Sequence, residues 1–175
     1  FKGGFAALAG LETLIDALTQ FTFSESDIEY LKSVGIFEQG FLDYLKDFKF
    51  TGDVYAQEEG SIVFPNEPLI RIHANLIEAQ IIEGLVLNHI NFQTLIATKS
   101  TRVWLASQKG SIMEFGLRRA QGPNGAMSAS RAAYIGMAGG TSNTLAGKEF
   151  GIPVLGTMAH SWIMSFPTEL EAFEA

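Results

Sequence analysis

Cysteine is absent from the chain, which removes disulfides, thiolate nucleophiles and thiolate metal sites together and fits a reducing cytoplasm. Basic residues are few: 12 Lys and Arg stand against 19 Asp and Glu, a net charge of −7, and no basic run provides the electrostatic footprint of a nucleic-acid binder. A phosphate ligand must therefore be held by local basic groups and helix N-termini against an unfavourable overall field. No uninterrupted apolar span is long enough for a bilayer. Residues 77–106 come nearest, but Glu78, Glu83, His89, Lys99 and Arg102 interrupt them, and the stretch reads as a buried helix. The glycines around residues 122–156 match neither a P-loop nor a dinucleotide fingerprint, and no histidines or carboxylates there have metal-ligand spacing. What is plentiful is apolar residues, 47% of 175, enough to bury a core for one domain or two small ones.

Residues 111–162 repeat one pattern three times: an apolar run, then small and polar residues, then a helix-like segment. The apolar runs are residues 112–117, 132–138 and 152–155. They lead into Arg118-Arg119-Ala120-Gln121, Gly140-Thr141-Ser142-Asn143 and Gly156-Thr157-Met158-Ala159-His160-Ser161. Arg118 and Thr141 are 23 residues apart and Thr141 and His160 are 19 apart, about the length of one β-α unit. If the strands are parallel, the three polar clusters emerge at one carboxyl edge, where ligands sit in barrels and in doubly wound sheets.

Upstream, residues 1–5 are too glycine-rich for a helix and read as strand or loop, entering a helical pattern over residues 6–18. Ser24 and Asp27 signal a helix start and Gly35 its stop; a third helix is predicted over residues 38–47. Residues 53–56, 61–64 and 69–73 are strand-like runs between turn signals, predicting a small antiparallel sheet. A long helix follows over about residues 76–107, with a bend near residues 88–92 and burial on several sides. Lys99 and Arg102 near its end either complement the helix dipole or meet a phosphate or a structural carboxylate. The expected organisation is an α+β unit over residues 1–75, a connecting long helix over 76–110, and the first βα units of an α/β domain over 111–175.

Residue by residue, the carboxyl edge leaves alternatives open. His160 is either a hydrogen-bonded core residue or a ligand-facing group beside Gly156-Thr157, at the start of a helix opened by Ser161-Trp162. Arg118 and Arg119, on an extended strand, would face opposite ways, so only one reaches a pocket directly unless the strand has ended. The same alternation puts Phe115 opposite Arg118, among the core. Thr141, Ser142 and Asn143 precede a helix and can serve as its N-cap.

The string Glu114-Phe115-Gly116-Leu117-Arg118-Arg119-Ala120-Gln121-Gly122-Pro123, then Gly140-Thr141-Ser142-Asn143 with Leu145-Ala146-Gly147, then Gly151-Ile152-Pro153-Val154 and Gly156-Thr157-Met158-Ala159-His160-Ser161 resembles nicotinate phosphoribosyltransferases in order, content and spacing. Phe1-Lys2-Gly3-Gly4-Phe5 and Ala97-Thr98-Lys99-Ser100-Thr101-Arg102 resemble the same family. Gly139-Gly140 departs from many members, which carry bulkier or acidic residues there. Members are more than twice as long, so the resemblance implies an interior piece without the start and the second half of the enzyme.

The resemblance implies an α/β fold in which an N-terminal α+β domain leads into the first strands of an α/β barrel of the type II phosphoribosyltransferase kind. It implies transfer of nicotinate onto 5-phosphoribosyl 1-pyrophosphate in NAD biosynthesis, coupled to ATP through phosphorylation of His160. A neutral imidazole nitrogen is a competent nucleophile near neutral pH. It also implies contact of Arg118 with the nicotinate ring and ribose phosphate, of Arg119 with a carboxylate or a partner subunit, and of Phe115 with the pyridine ring by stacking. Thr141, Ser142 and Thr157 fall against nicotinate. Related nicotinamide-using enzymes carry an aspartate in place of Ser142; an aspartate repels a carboxylate that a serine can donate to, so Ser142 implies the acid as substrate. Mg²⁺ is implied with pyrophosphate, held mostly by residues outside this chain, and a homodimer with a shared site is implied as the assembly. Nicotinamide or quinolinate as substrate is the neighbouring alternative. A non-catalytic piece that acts only in assembly is the alternative of another class, and the chain alone is expected not to turn over.

Overall fold

The computed structural model describes residues 4–175, so Phe1, Lys2 and Gly3 of the glycine-rich opening lie outside the described residues. The chain starts with a short strand, β1 (Ala6–Ala7), and the first helix, α1 (Leu11–Gln20), begins only after Gly10, whose φ of 101° is left-handed. The helical pattern over residues 6–18 is thus a strand and a loop as far as Gly10. The reason is pairing: Ala6 and Ala7 lie antiparallel to Val63 and Ile62 of β3 (Ile62–Val63), and Glu59 accepts the amides of Gly10 and Leu11 at the helix start.

Helix α2 (Glu25–Val34) opens with a complete capping box between Ser24 and Asp27 and stops at Gly35, φ 75°. Helix α3 (Gln39–Lys46) follows. Strands β2 (Asp53–Ala56) and β4 (Ile70–His73) pair antiparallel, Asp53 opposite His73. The expected three-stranded sheet is therefore two separate ladders, because β3 pairs with β1 instead. Leu8, Leu14, Leu18, Ile28, Leu42, Leu45, Phe48, Ile82 and Ile90 form one core among these elements.

Helix α4 (Leu76–Ala106) is a single element through residues 88–92. It is not buried on several sides. Its buried positions, Glu78, Ile82, Ile90, Gln93, Thr94, Ala97, Thr98 and Thr101, follow helical spacing along one stripe, while Leu87 and Leu95 stay exposed. Five of these eight buried positions are polar, and two of them satisfy the β1 segment: Ala7 N donates to Thr98 Oγ1 at 3.0 Å and Ala9 N to Thr94 Oγ1 at 3.2 Å. Arg102 donates to the Phe5 carbonyl at 2.9 Å and lies over its ring.

Strand β5 (Met113–Glu114) gives way to a 3₁₀ turn, Leu117–Arg119, and then helix α5 (Gly122–Ile135). Residues 132–135, expected in a strand, are the last turn of this helix. Pro123 starts it and an Ala-rich sequence carries it on, with no Gly or Pro between Gly125 and Gly136. The second strand is only β6 (Gly140–Thr141). It pairs parallel to β5, Glu114 opposite Thr141, and Thr141 in turn bridges Val154 in parallel. Three parallel segments therefore run side by side, with α5 and α6 (Thr144–Phe150) on the crossovers. Alanines at the contact, Ala7, Ala9, Ala97 and Ala132, bring β1, α4 and α5 together. Gly136 completes it, since a Cβ there would lie 2.3 Å from the Ala97 carbonyl oxygen. Helices α7 (His160–Ile163) and α8 (Glu169–Glu174) end the described chain.

Candidate active site

The parallel register delivers three loops to one edge. Neighbouring strands lie roughly 4.8 Å apart, so residues 115, 142 and 155 leave the sheet within roughly 10 Å of one another.

The first loop carries Phe115, Arg118 and Arg119. The strand has ended before Arg118, so the two arginines do not alternate along an extended segment. On a 3₁₀ turn neighbouring residues point about 120° apart, and both arginines are exposed. Amides of Arg119 and Ala120 close the turn on the Gly116 carbonyl at 2.8 and 3.1 Å, and Arg119 Nη1 reaches back to the Phe115 carbonyl at 3.4 Å. Phe115 is half-buried; with the strand ended, alternation no longer sets its direction relative to Arg118.

The second loop carries Thr141 and Ser142. Thr141 is fully buried and its hydroxyl donates to Glu114 Oε2 at 2.6 Å while accepting the Asn143 amide at 3.0 Å. Asn143 caps α6 through its side-chain oxygen, bonded to Ala146 N at 3.3 Å. Ser142 stands between these two fixed residues, half-buried. Its amide donates to the Glu114 carbonyl at 3.0 Å, and no hydrogen bond among the described residues engages its hydroxyl.

The third loop leaves from Leu155, whose amide donates to the Thr141 carbonyl at 2.9 Å. Thr157 and His160 follow, both exposed. His160 is the first residue of the single-turn α7, and its carbonyl accepts the Met164 amide at 2.9 Å. Trp162 Nε1 fixes that turn to α8 through the Ala172 carbonyl at 3.0 Å.

Two polar clusters were not legible as such in the sequence. Glu114 gathers the edge: its carboxylate accepts from Gly116 N, from Ser130 Oγ at 3.0 Å and from Thr141 Oγ1. An acid ending the strand was visible, but Ser130, a helix away in sequence, gave no signal. The second cluster lies behind α5. Arg131 donates to both oxygens of Glu59, at 2.9 and 2.6 Å, and to Glu12 and Gln93. Burial would raise the Glu59 carboxyl, but hydrogen bonds and charge from Arg131, with the Gly10 and Leu11 amides, hold it below the usual range; Glu59 and then Glu12 raise the Arg131 guanidinium despite burial. Lys99 faces a small hollow of about 180 Å³ shared with Glu114.

Among the described residues no three His, Asp or Glu converge as a metal-ligand group, and no helix is long and apolar enough to cross a membrane. An apolar groove of about 720 Å³ between β4 and α4 contains no residue of the parallel strands.

Residues 1–91 match the nicotinate phosphoribosyltransferase (NAPRTase) N-terminal domain and residues 110–173 match the nicotinate phosphoribosyltransferase (NAPRTase) family. A nicotinate phosphoribosyltransferase of Mycobacterium tuberculosis is 45% identical over 167 residues, covering 95% of this chain and 36% of the relative. That of Bacillus subtilis is 45% identical over 174 residues, covering 99% and 36%. The crystal structure of human nicotinic acid phosphoribosyltransferase superposes with a TM-score of 0.85 at 37% identity, over 94% of this chain and 34% of the human chain. The chain thus spans about a third of the length of these relatives. With two family matches that take in the N-terminal elements and the three-loop edge in turn, the chain belongs to the nicotinate phosphoribosyltransferase family.

Proposed function

We propose that the chain forms part of an enzyme that transfers the phosphoribosyl group of 5-phosphoribosyl 1-pyrophosphate to nicotinate, giving nicotinate mononucleotide and pyrophosphate in NAD biosynthesis. The observation that carries this reading is the parallel register that sends the Phe115–Arg118 loop, Ser142 and the Thr157–His160 loop off one sheet edge, in a chain of this family. In the working enzyme β5, β6 and the Val154 segment are the first strands of an α/β barrel over residues 111–175, residues 1–75 form the N-terminal domain, and α4 joins them. The assembly is a homodimer with a shared site.

Each residue has a physical role in this reading. The Arg118 guanidinium binds carboxylate or phosphate with its planar fork, and Arg119 pairs with a carboxylate or reaches the partner subunit. Phe115 stacks on the pyridine ring. The unengaged Ser142 hydroxyl donates to the nicotinate carboxylate, with Thr157 beside it. Thr141 is fully buried, its hydroxyl committed to Glu114 and its amide and carbonyl to Pro153 and Leu155, so it supports Ser142 from behind rather than meeting the substrate directly. His160 takes a phosphoryl group from ATP, and hydrolysis of the phosphohistidine drives transfer forward. Mg²⁺ enters with pyrophosphate, held mostly by residues outside this chain.

Two substitutions in the intact enzyme test this. His160→Ala should abolish ATP stimulation and acid-labile phosphate incorporation from labelled ATP; stimulation that survives rules out the phosphohistidine. Ser142→Asp should lower kcat/KM for nicotinate by about tenfold or more, since a buried like charge opposes the substrate carboxylate. Nicotinamide or quinolinate turned over in preference to nicotinate by the parent enzyme would replace the substrate assignment.

A further inference from the structure

Glu114 lies at the root of the three-loop edge, yet the proposed chemistry leaves it unused. Its side chain is half-buried, and its two oxygens divide three donors between them. Oε1 takes the Gly116 amide from the loop that carries Phe115 and Arg118. Oε2 takes the Ser130 hydroxyl of α5, and the Thr141 hydroxyl of β6. The main chain of the same residue takes the Ser142 amide at 3.0 Å. Thr141 and Asn143, on either side of Ser142, are locked into the same network, Asn143 through Thr141 Oγ1 at 3.0 Å and Ser130 Oγ at 3.3 Å. The fit is tight: a Cβ on Gly116 would lie 2.7 Å from Glu114 Oε1.

We infer that Glu114 is a positioning residue for nicotinate recognition, fixing the loop that bears Phe115 and Arg118 against the turn that bears Ser142. The inference rests on the functional reading above. A carboxylate is the best acceptor for this place: the Gly116 amide can only donate, and the Thr141 and Ser130 hydroxyls meet the other oxygen, Ser130 sharing its one proton with the Ala126 carbonyl at 3.0 Å. An amide of the same shape keeps its oxygen on the Gly116 N–H and turns its NH₂ toward the hydroxyls, which must then accept rather than donate, so charge-assisted bonds give way to weaker neutral ones. The tie between the loop and the turn is then weakened, and their relative placement loosens. A ring and its carboxylate held between the two loops sense this directly.

The test uses the intact enzyme with Glu114→Gln, and Ser130→Ala as a second, milder variant that removes one donor and keeps a good helix former in α5. Steady-state kinetics should show the nicotinate KM raised about tenfold in Glu114→Gln and about threefold in Ser130→Ala, with kcat within about twofold of the parent. Hydrogen–deuterium exchange should quicken at the peptide spanning Gly116 in Glu114→Gln. An unchanged nicotinate KM in both folded variants overturns the inference. So does a uniform loss in which kcat and the nicotinate KM worsen together with a lowered Tm, which marks a merely structural acid. If Glu114→Gln does not fold, Ser130→Ala decides by the same criteria. A parent enzyme that does not use nicotinate defeats the functional reading, and the positioning role with it, while an active parent with indifferent variants defeats the positioning role alone.

Discussion

Arg131 ties α5 to carboxylates from the first sixty residues, and the contributions of its two partners differ. Its side chain is 9% exposed and that of Glu59 18%, but that of Glu12 is 72% exposed. The Glu12 contact, largely in water, adds little. The Arg131–Glu59 pair is bidentate and shielded, so removing one partner strands the other. Arg131→Ala should lower the unfolding free energy by about 3 kcal/mol, at the low end for breaking a buried pair, and Arg131→Lys should recover only part of it because an ammonium lacks the fork. Glu59 also gives a pH dependence with a definite sign. Its folded pKa is depressed, so its stabilisation is present above the unfolded value, about 4.3, and is lost as pH falls through the lower folded value. Urea titrations from neutral pH downward should show a steeper acid loss for the parent than for Glu59→Gln.

Helix α4 depends on its first turn. Asn75 accepts the Glu78 amide at 2.9 Å, and the buried Glu78 carboxylate accepts Thr51 N at 2.7 Å and Thr51 Oγ1 at 2.9 Å, with the Asn75 side-chain amide as a further donor. The Thr51 amide is the main cause that holds the Glu78 carboxyl below its usual range. Asn75→Ala should cost about 1 kcal/mol, an ordinary cap, whereas Glu78→Ala should cost about 2 kcal/mol by also leaving the Thr51 amide without its acceptor. Equal losses in urea denaturation would refute that ranking. The start of α4 was legible because Asn75 caps it locally, as were α2, from Ser24 and Gly35, and β2, from alternation between turn signals. What failed in the sequence depended on partners far along the chain. Residues 6–9 have helical spacing, but pairing with Ile62 and Val63 makes them strand and loop. Residues 132–135 look as apolar as a buried strand, and only their continuity with the Pro123-initiated helix decides otherwise. At the candidate site, the three-loop edge was legible from the spacing of its polar clusters. The commitment of the Thr141 hydroxyl to Glu114 was not, because it depends on strand register.

At the scale of the whole chain, the net charge of −7 opposes self-association, while exposed apolar side chains favour it. On α4, Leu87 and Leu95 are 59% and 54% exposed, and both line the apolar groove of about 720 Å³ with Ile70 and Ile72 of β4. A contiguous patch of this kind, unlike scattered single residues, drives association. Repulsion between chains of like charge is screened beyond about 8 Å at physiological ionic strength, whereas apolar attraction is not weakened by salt. The 175-residue chain prepared alone should therefore self-associate increasingly as salt is raised, with light scattering reading a mass above 19.0 kDa. Leu87→Lys with Leu95→Lys should return it toward that mass by placing charge in the groove. A monomer at every salt concentration would show that the groove is too small or too interrupted to drive association. Association that weakens with salt would assign it to charge pairing instead, and the double lysine variant separates the two, since added positive charge on a net-negative chain strengthens charge pairing and breaks an apolar contact.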